Sequence, residues 1–173
     1  MLTFMNENKS SWEKIKECSL PVVVYGMGNG ADKVIDEFNR LDIPVKGITA
    51  SDDFVRGQTF RGFKVKKLSE FDGDFIVAVA FASCIPSVMA HIYSLCENHR
   101  VIVPCVPVFG NDIFNRDFIE KNRAEIEKAY ELFVDEESKR IYRGCVEFMF
   151  GGELDILQSI TSDKEEAFIK AHQ

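Results

Sequence analysis

The stretch that decides the fold is "PVVVYGMGNGADKVIDEF", residues 21–38. Its first part, Pro21 to Tyr25, is short, β-branched and uninterrupted by polar residues, which predicts a strand buried on both faces. Three glycines follow within five residues, at Gly26, Gly28 and Gly30. Ala31, Val34, Ile35 and Phe38 then fall at i, i+3, i+4 and i+7, one face of a helix. A strand, a glycine loop and a helix in that order form the opening unit of an α/β fold.

Outward from this unit, the pattern repeats. Upstream, Ser10 stands three residues before Glu13, a capping box that opens a short helix reaching about Cys18. Downstream, "PVKGITA" from Pro44 predicts a second strand. Residues 51–67 read as loop, with a short strand pair around "QTFRGFKV". "DFIVAVAF", 74–81, predicts a further strand. It leads into a helix with Pro86 in its first turn and Ile85, Val88, Met89, Ile92, Leu95 and Cys96 on one face. "VIVP", 101–104, is another short strand. Alternating strands and helices demand a parallel sheet with right-handed crossovers. The expectation is a Rossmann-like, doubly wound parallel sheet of about five strands in the order 3-2-1-4-5.

After about Pro107 the strands stop. Helical periodicity runs from Asn115 to Gln158, with Phe118, Ile119, Ile126, Tyr130 and Phe133 lining one face. Asp135 caps a following helix that turns Ile141, Cys145, Phe148 and Met149 inward, and the glycine pair 151–152 stops it. The polar stretch from Ser159 onward reads as a short helix or a loose tail. The expected organisation is an α/β domain over 1–110, a helical connector over 111–160 packed on or beside it, and a tail over 161–173.

Composition narrows the function. The 173 residues carry a net charge of −7, which disfavours a nucleic-acid surface or an anionic membrane as partner. No segment reaches the roughly 20 apolar residues of a membrane helix. The N-terminus lacks the basic start and apolar centre of a signal peptide. Five scattered cysteines form no Cys-x-x-Cys pair, and the three histidines do not cluster. The expected protein is reduced, cytoplasmic and free of metal. A homo-oligomer is open on this reading.

Gly26, Gly28 and Ala31 match G-x-G-x-x-G/A between strand and helix, the pattern that cradles a pyrophosphate. Gly26 permits the tight turn, Gly28 lets a phosphate approach the backbone, and small Ala31 lets helix and strand pack. Gly30 adds further room. The first helical amides, from Asn29 on, and the positive end of the helix dipole face an anion. An acidic residue ending the second strand would hold a ribose; Asp52 or Asp53 stands near that place, about 26 residues past Gly26 where about 20 is usual. The same glycines fit the loop of S-adenosylmethionine enzymes. Those carry an acidic residue two positions before the first glycine, and here Val24 stands there, which argues against that cofactor at this loop. The plainest alternative is that the glycines only shape a turn.

In the expected strand order, the loop "FASCIP" faces the glycine loop and brings Ser83 to the opening. Cys84 lies there too, but no histidine is placed to serve as its base, so it reads as an inert thiol. His91, within a helix, reads as a surface or packed residue. The candidate ligand-binding set is therefore Gly26, Gly28, Asn29, Gly30, Asp52 and Ser83, with no catalytic residue and no metal ligand. The cofactor is left unidentified, a nucleotide or nucleotide-sugar being the class that fits.

With these residues, the chain resembles the N-terminal region of FkbM-type, S-adenosylmethionine-dependent methyltransferases. "VVVYGMGNGADKVIDEF", "PVKGITASDD", "RGQTFRGFKV" and "DFIVAVAF" carry the likeness, as does "AYELFVDEESKRIYRGCVEFMFGGELDIL", which is similar to the connector that leads into their catalytic domain. The front half is also similar to nucleotide-sugar-binding domains of bacterial sugar acyltransferases. The resemblance implies an accessory domain that takes a nucleotide-sugar or glycan beside a methyltransferase domain, in cis or in trans. The catalytic domain itself has no counterpart in this chain. An NAD(P)-dependent oxidoreductase and a purely structural oligomerisation module are the alternatives from other classes.

Overall fold

The computed structural model describes residues 2–161. Helix α1 (Ser11–Cys18) opens with the expected capping box, in which the Ser10 hydroxyl accepts from the Glu13 N–H and the Glu13 carboxylate accepts from the Ser10 N–H. Strand β1 (Val22–Tyr25) is wholly buried. Helix α2 (Asn29–Arg40) follows the glycine loop and buries Ala31, Val34, Ile35 and Phe38, the face set by the apolar spacing. Strand β2 (Val45–Thr49) pairs in parallel with β1.

The chain is an α/β protein built on a six-strand, mostly parallel mixed sheet, in the order β3-β4-β2-β1-β5-β6. This corrects the expectation of five strands in the order 3-2-1-4-5. The change arises at one edge. "QTFRGFKV" folds back on itself as β3 (Thr59–Phe60) and β4 (Phe63–Lys66), which pair antiparallel, while β4 joins β2 in parallel. Between them Arg61 and Gly62 both take positive φ, 51° and 83°. That is the turn whose twist suits a two-residue hairpin. Strands β5 (Ile76–Val79) and β6 (Arg100–Ile102) complete the other side, each parallel to its neighbour.

Helix α3 (Pro86–Leu95) joins β5 to β6. Of its expected inward face, Ile92 and Leu95 are buried, whereas Ile85 and Cys96 at its ends are exposed. The connection from β4 to β5 carries only a single 3-10 turn, Leu68–Glu70, where a full helix is the usual covering.

The helical segment also differs in detail from expectation. Its first long helix is broken at Asn122 into α4 (Arg116–Lys121) and α5 (Arg123–Glu131). The Asn122 side chain donates to the Phe118 carbonyl there, so a polar residue competes with the helical ladder at that point. Helix α6 (Glu136–Gly151) is capped by Asp135 and ends at Gly152 in the left-handed conformation, as the glycine pair suggests. Its register is rotated from the expected one. Gly144, Val146, Glu147 and Phe150 are buried; of the expected face, Ile141 and Phe148 are half-buried, Phe148 against the larger core, while Cys145 and Met149 are exposed. The rotation follows from the partner: the N-terminal arm packs here, and the Glu147 carboxylate accepts from the Asn6 N–H at 2.6 Å. Helix α7 (Leu154–Ile160) returns along α6. The expected tail, apart from Thr161, lies outside the described residues.

Two apolar clusters hold the structure. The larger joins the sheet to α1, α2 and α3 and takes in Leu154 of α7. The smaller gathers Leu2, Phe114, Ile119, Val146 and Phe150, with Phe4 stacked on Tyr130 at 4.2 Å. The N-terminal arm thus supplies core to the helical segment. Among the described residues, no helix is long and apolar enough to cross a membrane.

Candidate functional site

The chain leaves β1 towards β2 on one side and leaves β5 towards β6 on the other, so the loops after β1 and β5 meet where the winding diverges. Crevices at such points, outside the carboxyl ends of the strands, receive ligands in open α/β sheets. The glycine loop sits there. Gly26 has φ of +136°, a region that L side chains rarely adopt, and its N–H continues the ladder by donating to the Thr49 carbonyl at 3.0 Å. It therefore turns the chain and has no amide to spare for a ligand.

Gly28 and Gly30 differ sharply. A Cβ on Gly28 would meet nothing within 4 Å, so the side of the loop from which a ligand would come is open. Gly28 is the N-cap of α2 and offers no side-chain cap. The first intrahelical bond runs from the Asp32 N–H to the Gly28 carbonyl, which leaves the amides of Asn29, Gly30 and Ala31 ahead of the ladder. A Cβ on Gly30 would instead lie 2.3 Å from the Ala80 carbonyl oxygen. The room expected at Gly30 is thus filled by Ala80, just past β5, and the close packing assigned to Ala31 belongs to Gly30 as well.

Beside the loop lies a cleft of about 580 Å³, whose lining includes Tyr25, Ser51, Asp52, Phe71, Val88 and His91. It exists because the β4–β5 connection is too short to fill the space next to α3. Gly47 contributes, since a Cβ there would strike the Phe71 ring at 2.5 Å; its absence lets that ring lie against β2. The Tyr25 hydroxyl and the Ser51 hydroxyl are 2.8 Å apart. Burial pushes the Tyr25 phenol above its ordinary value; the bond to Ser51 opposes this, and the negative charge of Asp52 adds to the rise. Tyr25 stays a neutral hydroxyl at physiological pH. Asp52 is exposed, with Lys67 Nζ 3.3 Å from its carboxylate.

The expected residues fall into three places. Gly26, Gly28, Asn29 and Gly30 form the loop, with Gly28 and Asn29 exposed, and Asp52 lines the cleft. Ser83 lines a different, apolar cavity that also borders on α3, and its hydroxyl accepts from the Ile85 N–H at 3.2 Å. It serves the turn into α3. His91 packs edge-on against Tyr25, with ring centres 6.1 Å apart, and lines the cleft. Sequence spacing alone does not show this, because it marks a helix without marking which face meets β1. Tyr25, at the end of β1, reads as core, and Phe71, in the connection from β4 to β5, carries no signal of its own.

No family model matches the chain, and no curated protein or solved structure matches it.

Proposed function

We propose that this chain is a Rossmann-like accessory module that binds a nucleotide or nucleotide-sugar and is not itself a catalyst. It would act in the cytoplasm beside a methyltransferase domain. The observation that carries the reading is the pairing of an open, uncapped α2 N-terminus at Gly28 with a cleft of ligand size. About 580 Å³ falls within the common range of roughly 300–1,000 Å³ for small-molecule sites. The arrangement proposed is a diphosphate on the amides of Asn29, Gly30 and Ala31 with the nucleoside in the cleft. There Asp52 and Ser51 offer acceptors for sugar hydroxyls, and Phe71 and His91 offer ring faces.

The non-catalytic part rests on the inventory at the rim. Cys84 is exposed, but His91 is turned against Tyr25 instead, so the two do not form a nucleophile and base. Calorimetry with UDP- and GDP-sugars tests the reading, with NADH and NADPH as the oxidoreductase arm. Binding of a nucleotide-sugar that Gly28→Val abolishes supports it. Silence across the panel removes the ligand, and binding of only the nicotinamide nucleotides replaces the reading with the oxidoreductase one.

A further inference from the structure

We propose that the cavity between α3 and the α6–α7 pair binds a small hydrocarbon group, a ligand chemistry separate from the nucleotide. The cavity measures about 240 Å³ and is lined by Val79, Phe81, Met89, Ile92, Phe148 and Leu157, among others. No charged side chain lines it, and its one hydroxyl, Ser83, is already engaged with the Ile85 N–H. Water in such a space finds few polar partners, so an apolar guest gains by displacing it. A dry apolar cavity of roughly 150 Å³ is enough to hold benzene. This one has room for a substituted ring or a short aliphatic chain.

The exposed residues of its lining are Phe81 and Ala82, which mark its mouth. Phe81 is 37% exposed, and its ring lies 3.4 Å from where a Cβ of Gly26 would stand. The mouth therefore adjoins the glycine loop, so a guest here would sit next to whatever the loop holds. The guest is defined by what the lining excludes: it has no charge and no unmet hydrogen-bond donor within the cavity. Five of the six named residues come from β5, α3 and α6–α7, elements that only tertiary packing brings together, so no sequence motif announces the site.

The test is a methyl-resolved NMR titration of the unaltered protein with toluene and, separately, with n-hexanol. Toluene is expected to shift the methyl groups of Met89, Ile92 and Leu157, while that of exposed Met149 stays in place. Hexanol shifts of the same set would extend the site to chains; without them it is a ring site. Leu157→Trp, which fills the space, is expected to weaken toluene binding at least tenfold, and Val88→Trp in the larger cleft is expected to leave it unchanged. No shift with either probe at aqueous saturation overturns the proposal. So do shifts that spread equally to Met149, or affinity that a folded Leu157→Trp retains. The map uses the native sequence, so it decides the matter even where Leu157→Trp fails to fold. A silent nucleotide panel would leave this result standing, and the reverse holds too.

Discussion

Glycine is concentrated in two regions, the loop after β1 and the α6–α7 hairpin, and the two use it differently. In the hairpin every glycine is spent on neighbours. A Cβ on Gly144 would meet Ile160 Cγ2 at 2.3 Å, and one on Gly151 would meet Glu7 Oε2 at 2.7 Å and Lys14 Nζ at 2.9 Å. Gly152 combines φ of +72° with the Val103 carbonyl only 2.7 Å from its missing Cβ. In the loop Gly30 is spent in the same way, but Gly28 faces empty space. Glycine needed for packing is surrounded; Gly28 meets nothing and has an ordinary φ, so neither packing nor a turn requires it, and a ligand is the explanation proposed here.

The largest effect is expected at Gly152. Its carbonyl accepts from the Val103 N–H at 2.9 Å, so this residue ties the hairpin to the chain just past β6. Gly152→Val would impose a strained φ and drive a side chain into the Val103 carbonyl, Ile102 and Ser11. Such combined strain and overpacking is expected to cost about 4 kcal/mol or more, read as a fall in urea midpoint or as loss of soluble protein. A cost below about 1 kcal/mol would show that the hairpin relaxes freely and would erase the contrast with the loop.

Gly30→Ala comes next. Its backbone conformation suits alanine, so only the clash with the Ala80 carbonyl counts against it, offset in part by the better helix propensity of alanine. A net loss of about 1–3 kcal/mol is expected, because α2 must move off β5. Gly28→Val should change stability by less than about 1 kcal/mol, since space is free and φ is an ordinary −113°. The same variant should lose nucleotide binding at least tenfold, as its side chain would stand where the phosphate lies. If Gly28→Val unfolds the protein as readily as Gly30→Ala, the loop is a turn and no more.

Much of this contrast was invisible in the sequence. The periodicity of residues 31–38 fixed which face of α2 is buried, because that face is decided within the helix itself. The capping box at Ser10 and Glu13 was equally local. The edge hairpin was half legible: "FRGF" carries a turn glycine, but the count of strands depended on whether two-residue β3 found a partner. The rotation of α6 was not legible at all. Gly144, Glu147 and Gly151 read as polar or neutral positions, and only the arm of residues 2–9 and Ile160, distant in the chain, turn them inward. The cleft shares that origin. It is made by a missing helix between β4 and β5, and a sequence shows elements more readily than the space they leave.

The smallest effect concerns charge at the hairpin. Lys14 Nζ lies 2.6 Å from Glu7 and 2.9 Å from Glu153 and also donates to the Gly151 carbonyl, so this part-buried ammonium anchors the N-terminal arm to α6. Burial pushes the Glu7 carboxyl up, but the hydrogen bond from Lys14, the amides of Lys9 and Asn8 and the charge of Lys14 outweigh it, and the net shift is downward. A carboxyl with a depressed folded value stabilises the protein above its unfolded value, near pH 4.3, and that stabilisation fades as pH falls through the folded value. Glu7→Gln should therefore lower the urea midpoint at pH 7 by less than Gly30→Ala does, and the gap to the parent should close below about pH 4. Gly28→Val, which removes no titratable group, should show a gap that pH leaves unchanged. Should Glu7→Gln keep a constant gap down to acid pH, its loss is one of packing, and the hairpin is held by fit alone.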